Sequence, residues 1–138
     1  MTAVTRRLTL LAAAVVATVS FGLAEVAWAC SCIRFSSAAE QFERSEAVFR
    51  GRVLRTQRTG RYQSVTTFEV VEGLKGRLGG RVRVFHGTET GGACGVIFRR
   101  GQVVAVTANL MQDGRWSTSS CSMPQFEWQE FRRVARGR

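Results

Sequence analysis

The chain has 138 residues and a formal charge of +10, from 20 basic and 10 acidic side chains. With 45% hydrophobic and 22% charged residues it is too apolar for a disordered polyelectrolyte and long enough for one domain with a core. A single histidine, a single aspartate and scattered glutamates form no triad and no placeable carboxylate pair, so no enzyme and no cofactor are expected.

Arg6 and Arg7 precede an apolar run from Leu8 to about Leu23, which closes on Ala27-Trp28-Ala29. Positive, apolar, then small-x-small is the order of a secretory signal peptide cut after Ala29, and the run is short for a membrane span. The expected domains are therefore a signal peptide over 1–29 and one mature domain over 30–138, secreted or periplasmic. Cys30 would become the first mature residue. The preceding residues lack a Leu three before it and place Trp28 two before it, which argues against a lipidated cysteine.

In the mature part, Ser37 stands three residues before Glu40, a capping-box spacing that predicts a short helix from Ala38 to about Arg44. From Ala47 a strand is expected, with Gly51 inside it as a bulge or bend. Thr59-Gly60-Arg61 reads as a turn, Tyr62 to Glu72 as the next strand, and Gly73, Gly76, Gly79 and Gly80 as a connection. Arg81 to Phe85 alternates polar and apolar, a half-buried strand. Gly87 to Gly92 reads as a loop that carries His86 at its entry. Cys94 to Phe98 and Val103 to Leu110 read as strands, Gln112-Asp113-Gly114 as a hairpin turn, and Arg115 to Cys121 as the return strand. Pro124 ends the sheet, and Trp128, Phe131 and Val134 mark a second helix from Phe126 to Val134, with a basic tail from about Arg132. Trp116, Trp128 and the phenylalanines are the expected core. The fold class is all-β: a five- to six-stranded OB-like Greek-key barrel with a short helix near each end, stapled by disulfides.

All four cysteines, Cys30, Cys32, Cys94 and Cys121, lie in the mature part. An even count in a small exported chain reads as a disulfide framework, and four cysteines allow three pairings. A Cys30–Cys32 bridge would close a strained tight ring, which favours long-range pairing. A metal site of its own is not expected, because the cysteines and His86 match no zinc spacing.

Cys30-Ser31-Cys32 at the cleavage site, Ala47-Val48-Phe49-Arg50-Gly51 after the first helix, Cys94-Gly95, and Gln112-Asp113-Gly114 followed by Ser119-Ser120-Cys121-Ser122 occur in one order. With Trp128 at the final helix, they resemble the N-terminal inhibitory domain of the tissue inhibitors of metalloproteinases, the netrin-like module, over about Cys30 to Phe131. The chain departs from that family in lacking a third disulfide and in carrying Ile33-Arg34 where a Pro commonly follows. The resemblance implies bridges Cys30–Cys94 and Cys32–Cys121. It also implies that the α-amine and carbonyl of Cys30 chelate the zinc of a target metalloproteinase, the principal expected partner. Ser31, Cys32, Ile33, Gly92, Ala93 and Cys94 would form the inhibitory ridge.

Loss of Arg6, Arg7 and Glu25 with the first 29 residues leaves 18 basic against 9 acidic side chains, a balance of +9. Lys75 is the only lysine among them. Acidic polysaccharide is the second expected partner class. No basic-aromatic interleaving on one strand suggests nucleic acid, and no second segment is apolar enough to span a membrane.

Overall fold

The computed structural model describes residues 30–88 and 94–138; the expected leader, Gly92 and Ala93 lie outside the described residues. Helix α1 (Ala38–Arg44) is followed by strands β1 (Ala47–Arg58), β2 (Gln63–Lys75), β3 (Arg81–Gly87), β4 (Val103–Leu110) and β5 (Trp116–Ser117), then helix α2 (Trp128–Arg136). The strands close in the order β1-β2-β3-β5-β4, with β4 returning to β1. This is the expected all-β barrel with a helix near each end, built from five strands. All neighbours are antiparallel except β3 and β5, which pair in parallel at Val84↔Trp116 and Phe85↔Ser117.

Ser37 caps α1 by accepting the Glu40 N–H at 3.1 Å. The reciprocal arm falls one residue early, since the Glu40 carboxylate takes the N–H and hydroxyl of Ser36. At the other end of α1, Lys75 donates to the carbonyls of Phe42 (2.8 Å) and Glu43 (3.1 Å). A cation there satisfies orphan carbonyls and opposes the helix dipole, which gives the one lysine after residue 29 a structural task.

β1 is buried on both faces at its start because it serves two cores. Successive strand residues point to opposite faces, so Ala47, Phe49 and Val53 face the barrel interior while Val48, also fully buried, lies outside it under the helices. Register shifts fall at Val48/Phe49, Arg50/Gly51 and Val53/Arg55. Inside, Phe49 and Phe68 meet edge-on at 5.6 Å, and Phe68 meets Phe98 at 5.0 Å. Each such ring contributes roughly 2–3 kcal/mol by burial. Gly51 makes the Phe68 position possible, since a Cβ there would lie 2.9 Å from the Phe68 Cβ. Outside, Ala38, Phe42, Val48 and Phe131 form the second core. Trp116 and Trp128 are only partly buried, at the margins of the inner and outer cores respectively.

Several sequence expectations are corrected. Gly73 is not in a connection but within β2, which runs on to Lys75. Cys94 to Phe98 is not a strand: Cys94 has a φ of +50°, and the segment meets β3 through the Val96 N–H to Gly87 carbonyl bond and through the His86 side chain, which contacts the Val96 backbone and the Phe98 ring. Phe98 instead plugs the barrel. The return strand is two residues long, because after Ser117 the chain turns to bring Cys121 to its bridge. His86 is not a loop histidine; it is an inward residue of β3, buried beside Phe98. The residues from Arg132 onward are mostly helix rather than tail: Arg132 clasps Glu72 with two bonds of 2.8 and 2.7 Å, and Arg138 pairs with Glu43.

Candidate functional site

Residues 30–37 have no regular secondary structure and are exposed apart from half-buried Phe35. Two disulfides, Cys30–Cys94 and Cys32–Cys121, hold the segment with Cα separations of 5.5 and 4.9 Å. These are the bridges that the resemblance implies. The bridges touch: the Cys30 and Cys121 sulfurs lie 3.4 Å apart. The Ser120 N–H donates to the Cys94 carbonyl at 2.8 Å. Cys30–Cys32, Cys94 and the turn at 119–122 are therefore one cross-linked block.

A pair of glutamines extends it. Gln125 acts as a false strand, accepting from the Phe35 N–H at 3.1 Å and donating to the Ile33 carbonyl at 2.9 Å. Its own N–H donates to Gln41 Oε1 at 3.0 Å, while Gln41 Nε2 donates to the carbonyls of Ser122 (3.2 Å) and Met123 (3.0 Å). Two carbonyls on one side and an N–H on the other fix which end of the amide is which. Gln41 has no exposed surface. Neither glutamine stands out in the sequence; the available signal is that Gln41 shares the apolar face of α1 with Ala38 and neighbours Phe42.

The segment stands between two grooves. Ser31, Ile33 and Phe35 border one together with Asn109 and Ser122. Arg34 and Phe35 border the other together with Gln125 and Phe126. A convex spine with hollows on both sides fits a concave cleft. Ile33 within it is 73% exposed. Of the expected ridge, Cys30, Ser31, Cys32, Ile33 and Cys94 are brought together; Gly92 and Ala93 lie outside the described residues.

The sulfurs of Cys30, Cys94 and Cys121 lie within 4.8 Å of one another. Each is in a disulfide, and a disulfide sulfur is not the thiolate that binds zinc.

No family model and no curated protein matches the chain. Among the described residues no helix is long and apolar enough to cross a membrane.

A separate polar chain runs along one wall of the barrel. His86 Nδ1 lies 3.0 Å from the Gly87 carbonyl, so that nitrogen carries the proton. Nε2 then accepts from the Thr66 hydroxyl at 2.7 Å, which in turn accepts from Thr56 at 2.7 Å. Burial pushes the imidazole below its ordinary value of 6.5, although the carbonyls of Gly87 and Val96 oppose this. The unfolded state therefore binds more protons near pH 6, and stability rises with pH through that window. The urea midpoint is expected to be higher at pH 7.5 than at pH 5.5. His86→Gln should flatten the difference, because His86 is the one histidine, and the lowered carboxyls of Glu40, Glu72 and Asp113 titrate below this range. An unchanged slope in the variant refutes the assignment.

Proposed function

We propose that the chain is exported, cut after Ala29, and inhibits a zinc endopeptidase by placing the free terminus of Cys30 on the enzyme's metal. The observation that carries this reading is the spine itself: an exposed Cys30–Ile33 segment bridged at both cysteines to a rigid block. A segment already held in one shape loses little ordering entropy when it enters a cleft. The α-amine and carbonyl of Cys30 make a five-membered chelate and displace the water that the open zinc position keeps for hydrolysis. Ser31 is small enough to enter the pocket beside the metal, and exposed Ile33 supplies apolar contact next to it. The resemblance to the tissue inhibitors of metalloproteinases supports the same roles, with Gly92 and Ala93 on the strip leading to Cys94.

The amine must be neutral to ligate, and α-amines titrate near pH 8. Metal binding expels the proton, so inhibition weakens below about pH 7. The test is a panel of zinc endopeptidases assayed with protein beginning at Cys30 and with a form carrying one alanine before it, both masses checked. The expected result is inhibition by the first and a loss of about 100-fold or more in the second, as removal of a metal ligand requires. Inhibition by neither form, or equally by both, refutes the reading.

A further inference from the structure

The outward face of β1, β2 and β3 away from the helices carries a lattice of exposed arginines. The ladder aligns Arg52, Glu69 and Arg81 in one row and Arg55, Thr67 and Arg83 in the next. The register shift at Val53/Arg55 creates this pattern: Val53 faces the core, and the extra residue lets Arg52 and Arg55, three apart, both face outward. All four arginines are exposed. Neighbouring strands lie about 4.8 Å apart and alternate residues about 7 Å apart. The guanidinium groups thus stand on a grid roughly 10 Å by 7 Å at the backbone. Arg55, Arg81 and Arg83 enter no ion pair among the described residues, and Arg52 meets Glu69 only at 3.9 Å.

We propose that this face binds an extended anionic polysaccharide. A grid of fixed positive charges matches an anion that repeats along a chain, whereas one small anion would engage only one or two of them. Next to the grid, Phe85 lies under Arg115 at 4.4 Å and beside Arg83 at 5.9 Å. Stacking holds those guanidinium planes in place and reduces the rotamer entropy lost on binding. It also decides against nucleic acid. A single-strand platform needs open aromatic faces for the bases, and here Phe85, the aromatic ring beside the grid, is covered by Arg115. It decides against a bilayer too, since the outward positions between the arginines are Thr67 and Glu69 and offer no aliphatic side chain to insert. The face shares no residue with the Cys30 spine, so the proposal stands or falls separately from protease inhibition.

The test measures binding of the purified protein to dextran sulfate, with uncharged dextran, oligo-dT and phosphatidylglycerol vesicles as alternatives, across a salt series. Dextran sulfate should bind more tightly than the other three, with affinity falling as salt rises. Arg55→Gln/Arg81→Gln should weaken binding about tenfold, the scale of two lost exposed charge contacts. Arg133→Gln/Arg136→Gln on α2, with the same loss of charge, should change it less than about twofold. Arg83→Gln alone supplies a second readout, and thermal midpoints establish that each variant is folded. Equal losses in the two double variants, or preference for oligo-dT or vesicles, overturns the proposal, as does no binding at low salt.

Discussion

Removing the Cys32–Cys121 bridge by Cys32→Ser/Cys121→Ser is expected to cost about 3.5 kcal/mol of unfolding free energy, and removing both bridges about 8 kcal/mol, on the chain-entropy relation. The two values follow from how the loops nest. Alone, the bridges close spans of 64 and 89 residues. Once Cys30 is tied to Cys94, however, the second bridge closes only the two steps from Cys30 to Cys32 plus the 27 from Cys94 to Cys121, an effective loop of about 30 residues. Either bridge therefore constrains the unfolded chain somewhat less when the other is present. Domains of this size have only about 5–15 kcal/mol in total, so the form lacking both bridges should be partly unfolded at room temperature. Urea unfolding of the parent, the two single-bridge variants and the double removal checks this by linear extrapolation. Single losses below about 1 kcal/mol would mean that the unfolded chain is already compact around these segments.

The parts of the fold that were legible in the sequence are those fixed by local chemistry. Ser37 marked the start of α1, the apolar run at 103–110 marked β4, and the glycine in Gln112-Asp113-Gly114 marked a turn whose Gly114 has a φ of +79°. The β1 pattern did not read as polar–apolar alternation because its first residues are buried on both faces, Ala47 and Phe49 in the inner core and Val48 in the outer one. Cys94 to Phe98 reads as a strand by composition, but Cys94 is held in a left-handed conformation beside its bridge, and Phe98 is drawn into the barrel mouth. The cysteine framework was legible as a framework; its pairing came from the resemblance alone, since counting leaves three choices. The glutamine relay beneath the spine was not legible, because its bonds join residues 81 to 92 positions apart.

That relay makes the second large effect. Gln41→Leu keeps the volume of the side chain but leaves the Met123 carbonyl and the Gln125 N–H without this buried partner; the Ser122 carbonyl still accepts from the Thr107 hydroxyl. Two stranded groups at about 1–3 kcal/mol each give an expected loss of about 3 kcal/mol. Gln125→Ala should behave differently. Its side chain is exposed, so water replaces its bonds to Ile33 and Phe35, and stability should fall by about 1 kcal/mol or less. What it should change is the motion of the spine. With the false strand gone, the segment from Ile33 to Phe35 is tethered only at Cys32 and at the start of α1, and amide exchange at Phe35 should become faster than in the parent protein. If Gln125→Ala leaves that exchange unchanged, the disulfides alone hold the spine. If Gln41→Leu is neutral in urea, the turn at 122–125 carries its own hydrogen bonding, and the spine is anchored by sulfur rather than by the helix beneath it.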